Sequence, residues 1–84
     1  MKLYIVTTMD DFGDGMEHRV SGVFKTKEEA RELMEEILQE YQENDEVDIA
    51  EREYGTTING DEYVEVGDIE ANYYVQVKIT EKEI

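Results

Sequence analysis

Apolar and polar residues alternate along most of this chain, and in one stretch the pattern changes to a helical period. Lys2–Thr8 carries β-branched and aromatic side chains at both parities, which predicts a strand covered on at least one face. Met9–Glu17 has the glycine and aspartate content of a loop, and His18–Phe24 again has the composition of a strand. Because the connection is short, we expect these two strands to pair in the antiparallel sense.

The helical period begins at Thr26. Thr26 followed by Glu29 fits the capping box, in which the threonine hydroxyl accepts from the amide three residues on and the glutamate reaches back to the threonine amide. Six apolar side chains then recur at helical spacing along one stripe: Ala30, Leu33, Met34, Ile37, Leu38 and Tyr41. This pattern predicts an amphipathic helix that ends near Glu43, with its apolar stripe packed on the sheet.

Three more strands are predicted after the helix. Val47–Ile58 has the pattern of one long strand with a break near Gly55, and Asn59-Gly60 is the signal of a type I′ hairpin turn. Asp61–Val66 returns antiparallel, and Gly67-Asp68 predicts the next turn.

The last predicted strand, Ala71–Thr80, alternates strictly between two faces. The residues of one face are Tyr73, Val75, Val77 and Ile79, and those of the other are Asn72, Tyr74, Gln76 and Lys78. Such alternation indicates a sheet with one wet face and one face covered by the helix. We therefore predict a two-layer α+β fold of the order β-β-α-β-β-β, with one helix packed on an antiparallel sheet of four to five strands.

A chain of 84 residues has room for one domain, which we expect to span residues 1–84. Charged residues make up 37% of the chain and hydrophobic residues 39%, a composition that approaches that of disordered proteins. We expect an ordered domain because the apolar residues are patterned and because six tyrosines and two phenylalanines supply core material.

The net charge of −15 is concentrated in the middle of the chain. Residues 28–53 hold twelve acids and two arginines, a net of −10, whereas the first 27 residues hold four of each sign. A concentrated negative field repels nucleic acid and anionic membranes and attracts basic protein surfaces. The expected partner is therefore a basic protein surface, with no direct binding to nucleic acid or membrane.

Four glutamates recur at four-residue spacing on the outward side of the predicted helix, and we name them the glutamate ladder: Glu28, Glu32, Glu36 and Glu40. Like charges at this spacing destabilise a helix by roughly 0.2–0.5 kcal/mol per pair, so three steps cost about 1 kcal/mol. Arg31 with Glu35 is a favourable pair of the same spacing. Drift toward an acidic surface is one interpretation, since small soluble proteins tolerate it. A binding role is the interpretation that we favour.

The predicted partner-binding residues extend from the ladder into the segment that follows the helix. They are Glu28, Glu32, Glu35, Glu36, Glu40, Glu43, Asp45, Glu46, Asp48, Glu51 and Tyr54. Tyr54 belongs to this set because tyrosine is frequent at binding hot spots, and ordinary packing on a strand surface is the alternative for it. Ladder steps rise about 6 Å, against one phosphate per roughly 3.4 Å of a DNA strand. The flanking acids bring the density of charge closer to that of nucleic acid.

In size, charge, lack of cysteine and compact α+β pattern, the whole chain resembles the small acidic inhibitors that bacteriophages and mobile elements encode. These include anti-CRISPR proteins, anti-restriction proteins and the uracil-DNA glycosylase inhibitor, several of which look like DNA to their target enzyme. Gly22–Ala30 also resembles a strand-to-helix junction common in small phage proteins. The resemblance implies a non-enzymatic inhibitor that occupies the nucleic-acid-binding surface of a defence or DNA-processing enzyme. It is one of pattern and assigns no role to a single residue.

Candidates for catalysis or metal binding are few. The absence of cysteine excludes disulfides and thiolate metal sites. His18 and Ser21 have opposite parity within one strand, so they are not expected to form a nucleophile pair. The acids of Asp10–Glu17 lack the spacing of an EF-hand loop. We predict no enzymatic activity, no cofactor and no metal.

Two other functions stay open at this point. One is an immunity or antitoxin-type protein that neutralises a nuclease toxin, and the other is a cation-binding module built on Asp10–Glu17. The apolar run at the N-terminus is too short for a signal peptide, and no stretch approaches the about 20 apolar residues of a membrane span. We therefore expect a cytoplasmic protein, located in the bacterial host cell if a phage encodes it. An exposed edge strand would allow a homodimer as well as a monomer.

Overall fold

The computed structural model describes residues 1–68 and 70–84, which form five strands, one long helix and one short 3₁₀ helix. The bounds are β1, Lys2–Asp11; β2, Met16–Phe24; α1, Lys27–Glu43; the 3₁₀ helix, Ile49–Glu51; β3, Glu53–Thr56; β4, Glu62–Asp68; and β5, Tyr73–Glu83.

The strands form one antiparallel sheet in the order β2-β1-β5-β4-β3, which confirms the predicted two-layer α+β fold. The first and last strands are neighbours, so β5 lies in the middle of the sheet. α1 packs against β1, β2 and β5 on one side, which we call the covered face. The opposite side, on which no helix of the described chain packs, is called the open face.

The hydrophobic core lies between α1 and the covered face. Its buried side chains are Ala30, Met34, Leu38 and Tyr41 from α1, Val6, Val64, Val66, Val75, Val77 and Ile79 from the sheet, and Val47 and Ile49 from the segment between α1 and β3. The predicted alternation in β5 is confirmed. Leu33 and Ile37 are only half-buried, because they lie at the margin of the helical stripe beside β2.

The helix begins and ends where the sequence predicts. Thr26 is the N-cap residue, and its hydroxyl accepts from the Glu29 amide at 3.3 Å. The Glu29 carboxylate accepts from the Thr26 hydroxyl at 2.9 Å, so in this capping box it binds the side chain where we expected the backbone amide.

The first hairpin is longer than predicted. Residues Met9 to Asp11 belong to β1, and β2 begins at Met16, so the predicted loop shrinks to four residues. These residues are drawn into the strand because β1 pairs with β5 along its whole length and with β2 from Tyr4 to Asp11. Gly13 and Gly15 supply the positive φ angles of the turn, 98° and 116°.

The predicted long strand Val47–Ile58 is wrong in its first half. Val47 and Ile49 are buried at the end of the core, and Ile49 begins the 3₁₀ helix that precedes β3. Only Glu53–Thr56 pairs with β4. The apolar residues at positions 47 and 49 have the spacing of a strand, but here their side chains close the core beneath the end of α1.

The predicted type I′ turn at Asn59-Gly60 is also wrong. Gly60 has a φ of 90°, whereas Asn59 is not among the residues with positive φ, and a type I′ turn requires both. The Gly60 amide donates to the Thr57 carbonyl at 2.9 Å, and the Thr57 amide donates to the Asp61 carbonyl at 2.8 Å. These bonds match a three-residue hairpin loop that ends in a glycine.

The second predicted turn, at Gly67-Asp68, lies too early in the chain. Both residues pair with β5, and β4 ends at Asp68. Asn72, with a φ of 59°, precedes the start of β5. β5 continues past Thr80 to Glu83 because its last residues pair with the start of β1.

Candidate protein-binding surface

The outer side of α1 presents the glutamate ladder to solvent. All four side chains are exposed, and they span about 18 Å of the helix axis at 1.5 Å per residue. Among the ion pairs formed by residues 1–68 and 70–84, none involves a ladder residue. No described side chain therefore forms a close ion pair with the ladder.

The basic residues on α1 turn away from the ladder toward β4. Arg31 donates from Nε and Nη2 to the two carboxylate oxygens of Glu62, at 3.0 and 2.6 Å. Lys27 Nζ lies 3.5 Å from the same carboxylate. The bidentate bond from Arg31 lowers the pKa of Glu62. The expected pairing of Arg31 with Glu35 is wrong, because Glu62 on the neighbouring strand offers a geometry that matches both guanidinium nitrogens.

Glu35 instead contacts Tyr54, which projects from the edge strand β3 toward the helix. The Tyr54 hydroxyl donates to Glu35 Oε1 at 2.5 Å and accepts from Arg52 Nε at 2.9 Å. The Arg52 guanidinium also lies 5.8 Å from the centre of the Tyr54 ring, within the range of a cation–π contact. The structure thus brings together two predicted partner-binding residues and holds an exposed aromatic ring at the margin of the acidic surface.

The acidic surface continues past the end of the helix. The Asp45 amide donates to the Gln42 carbonyl and the Glu46 amide to the Tyr41 carbonyl, at 3.1 and 3.0 Å. This is the Schellman arrangement, with Asp45 at the left-handed position that glycine usually occupies; its φ is 55°. Glu43, Asp45 and Glu46 are all exposed here.

Asp48 and Glu51 lie in and beside the 3₁₀ helix and not on the predicted strand. Asp48 Oδ1 accepts from the Ala50 amide at 3.0 Å, so its carboxylate caps this short helix. Both side chains are exposed, and the segment that carries them contacts α1 and β4. The helix and this segment together form what we call the acidic layer, defined by the ten predicted acids between Glu28 and Glu51.

A polar cluster beneath the helix was not identified from the sequence. Tyr41 donates from its hydroxyl to Asp10 Oδ2 at 2.5 Å, and Arg19 donates to both, at 2.8 Å to Tyr41 and 3.3 Å to Asp10. Burial, with a further contribution from the bond to Asp10, raises the pKa of Tyr41 to about 12. The parity of Asp10 with Val6 and Thr8 in β1 was the signal that it would point into the core.

This cluster forms one end of a groove between α1 and β2, with a volume of about 530 Å³. The groove is lined by apolar residues of α1 and by acids at its rim, among them Glu40 of the ladder and Glu46 of the acidic layer. Its floor includes Thr8 and Ser21, whose hydroxyls lie 2.7 Å apart. The polar side chains of the floor form hydrogen bonds within the protein. The groove therefore extends the surface beside the acidic layer without adding a polar binding site.

The other chemical candidates are separated by the fold. Asp10 binds Tyr41, while Asp11 Oδ1 accepts from the Gly13 amide at 2.8 Å, so the acids of the first hairpin do not converge. Within residues 1–68 and 70–84, no three histidine, aspartate or glutamate side chains are placed to hold a metal ion. His18 pairs with Met9 on the open face, whereas Ser21 bonds to Thr8 on the covered face.

No helix in the described part of the chain has the length and apolar character needed to cross a bilayer.

A family model described as a domain of unknown function (DUF7336) matches residues 1–63. The matched span contains the acidic layer and Tyr54, and it ends within β4. Neither a curated protein nor a solved structure matches the chain.

Proposed function

The chain belongs to the DUF7336 family of domains of unknown function, and from its acidic layer we propose that it is a non-enzymatic inhibitor of a nucleic-acid-handling enzyme. The layer docks on the basic surface with which a defence or DNA-processing enzyme holds its substrate. The protein then acts as an electrostatic mimic of nucleic acid, in the cytoplasm of a bacterial cell.

The absence of ion pairs along the ladder, among the described residues, is the observation that supports this proposal most. Arg31 and Lys27, the basic residues nearest the ladder along the helix, are both engaged by Glu62 of β4. The helix bears the resulting repulsion along its exposed side, where opposite charges at the same spacing would stabilise it. A basic partner removes that repulsion on binding, so the free energy of the interaction grows with the charge left uncompensated in the free protein.

Tyr54, held by Glu35, adds an exposed aromatic ring to the acidic layer. Tyr54, which is 57% exposed and flanked by Arg52, lies where the acidic layer meets the edge of the sheet. Exposed tyrosines anchor many interfaces because they bury a large rigid area and keep a polar end. In the proposed complex the ring packs beside the basic groove while the carboxylates face its lysines and arginines.

The experiment is competition with double-stranded DNA for purified enzymes: a CRISPR effector ribonucleoprotein, a restriction endonuclease, a uracil-DNA glycosylase and a colicin-type nuclease. Displacement of DNA from any of these, weaker at 500 mM than at 50 mM salt, is the expected result. Inhibition confined to the colicin-type nuclease would instead favour an immunity-type protein.

The matched variants differ only in where charge is removed. Glu32, Glu36 and Glu40 changed together to Gln should weaken binding about tenfold, since exposed charge pairs contribute about 0.2–1 kcal/mol each and 1.4 kcal/mol is tenfold. The control changes Glu53, Glu70 and Glu83 to Gln, three exposed acids outside the acidic layer, and should shift affinity by less than about twofold. Equal losses in the two variants would reduce the effect to net charge and overturn the proposed surface.

A further inference from the structure

The open face of the sheet is the second large surface of this molecule, and it differs from the acidic layer in composition. The strand register places odd-numbered residues of β1 on this face, together with their partners on β2 and β5. Six apolar side chains of β1 and β2 are neighbours here: Leu3, Ile5, Met9, Met16, Val20 and Val23. The three from β2 are 57%, 64% and 51% exposed.

This face is nearly neutral in a protein of net charge −15. The register assigns it three carboxylates, from Asp11, Glu53 and Glu65, and two ammonium groups, from Lys78 and Lys82. Its net charge is thus about −1, counting carboxylates and lysines as ionised. A second molecule of the same acidic chain can approach this face without strong repulsion.

The size of the face suits a dimer. The five strands hold 41 residues, and each residue of a sheet covers about 16 Å², from a rise of about 3.3 Å and a strand spacing of about 4.8 Å. The projected area is then about 650 Å², and the accessible area of a face covered with side chains is larger. A standard interface buries about 800 Å² per partner.

Charge selects the face-to-face arrangement over the alternatives. The molecule is 20 Å across in its thinnest direction. Two copies stacked on their open faces hold their acidic layers on opposite outer sides, with both sheets between them; stacked sheets pack about 10 Å apart, which already exceeds the Debye length of about 8 Å. Pairing of two β2 edges would place the acidic layers side by side, and the register shift opposite Val6 and Thr7 interrupts that edge.

We propose that this protein forms a two-fold symmetric dimer through the open face of its sheet, with the apolar residues of β1 and β2 at the centre of the interface. The dimer displays two acidic layers that point in opposite directions. It is bivalent and can engage two basic partners at once. This inference does not depend on the identity of those partners.

Sedimentation equilibrium between 1 and 200 μM protein tests the proposal. The wild type should show a monomer–dimer equilibrium that is unchanged or strengthened between 0.15 and 0.5 M salt, because apolar contacts persist while repulsion is screened. Changing Val20 and Val23 together to Thr keeps the branched shape and adds a hydroxyl at four positions in the symmetric dimer. We expect its dissociation constant to rise at least tenfold.

The control for this variant is Ile58→Thr, which makes the same kind of change at a side chain that is fully exposed on the β3–β4 loop. It should dimerise as the wild type does. A second variant, Lys78→Glu, changes the middle strand of the face and leaves the β2 edge intact, and it should also weaken the dimer.

Three outcomes would overturn the proposal. They are a monomeric wild type at 200 μM, equal dimerisation of the wild type and the valine variant, and a dimer that is lost on changing the valines but unaffected by Lys78→Glu. The last outcome would assign the contact to the β2 edge. The valine variant should keep its competition with DNA for one target site, so failure of this inference and failure of the proposed inhibitory function are separable.

Discussion

The covered face and the open face of this sheet share five strands and differ in almost everything else. On the covered face, Val75, Val77 and Ile79 are at most 2% exposed beneath α1. On the open face, Val20 and Val23 keep more than half of their area exposed. The charge is distributed in the opposite way, since the layer above the covered face carries the glutamate ladder while the open face is nearly neutral.

The two sides of the helix layer have opposite effects on the stability of the free protein. The inner side of α1 supplies the core, and its outer side lowers the stability of the free protein through repulsion. The open face contributes apolar area that the isolated monomer leaves in water.

The sharpest test of the comparison removes the same two methyl groups from each face. Val77→Ala should lower the free energy of unfolding by about 1.5–3 kcal/mol, since a fully buried valine loses its burial and leaves a cavity. Val23→Ala should change it by less than about 0.5 kcal/mol in a dilute, monomeric sample. Urea denaturation at low micromolar concentration measures both. Similar losses at the two sites would mean that the open face is packed as tightly as the covered one.

The polar cluster under the helix predicts a loss of stability at alkaline pH. Tyr41 has its pKa raised to about 12 from an ordinary value of 10.0, so the folded state holds the phenol proton more tightly than the unfolded chain does. Its contribution is complete below pH 10 and is lost as the pH rises through about 12. Thermal melts of the wild type and Tyr41→Phe should therefore converge over this window.

At neutral pH, Tyr41→Phe should lower stability by about 1.5–3 kcal/mol, because the buried Asp10 carboxylate loses a hydrogen bond. Tyr74→Phe is the control, since Tyr74 binds Glu65 on the open face and its pKa is also raised by burial. The Tyr74→Phe variant keeps Tyr41, so its melting temperature should still approach that of Tyr41→Phe as the pH rises above 10. An unchanged gap between the wild type and Tyr41→Phe up to pH 12 would contradict the assignment.

The ladder predicts that salt stabilises the free protein. Raising sodium chloride from 0.05 to 0.5 M screens the repulsion, which we put at about 1 kcal/mol along the helix. The melting temperature should rise by about 4–8 °C. The variant with Glu32, Glu36 and Glu40 changed to Gln should be more stable at low salt and respond less to salt. A decrease of the wild-type melting temperature with salt would mean that attractive pairs dominate the surface.

The smallest predicted effect concerns the end of the helix. Asp45→Gly should raise stability by about 0.5–1 kcal/mol, because glycine adopts the left-handed conformation without steric cost and the change removes an acid from the negative end of the helix dipole. Glu43→Gln is the control, since it removes a nearby charge and leaves the backbone unchanged. If the two variants gained equally, charge alone would account for the gain.

The sequence predicts the elements of this fold better than it predicts their ends. The helix follows from local signals, the Thr26 cap and the apolar stripe, and both are confirmed. The strands β1 and β5 extend beyond their predicted ends because each is held by a neighbour distant in sequence, as in the pairing of Lys2 with Glu83. Pairing between the two ends of a chain leaves no local signal in either segment.

The acidic layer is predictable as a set of residues, and its chemistry depends on contacts that the sequence does not show. Spacing along a helix correctly places the ladder outward. It does not reveal that Glu62 on β4 engages Arg31, or that Tyr54 reaches Glu35 across the gap from β3. The strand predicted at Val47 and Ile49 is wrong because an alternating apolar pair has the same pattern in a strand and in a segment that closes a core.

The position of β5 between β1 and β4 has a consequence for how the protein is made. Until the eleven residues of β5 have been synthesised, β1 and β4 each present an unpaired edge, and the two halves of the sheet have no strand to join them. Loop closure across nearly the full chain must then precede the final hydrogen bonds, which slows folding. We expect the nascent sheet to expose aggregation-prone edges until β5 is available to pair with β1 and β4.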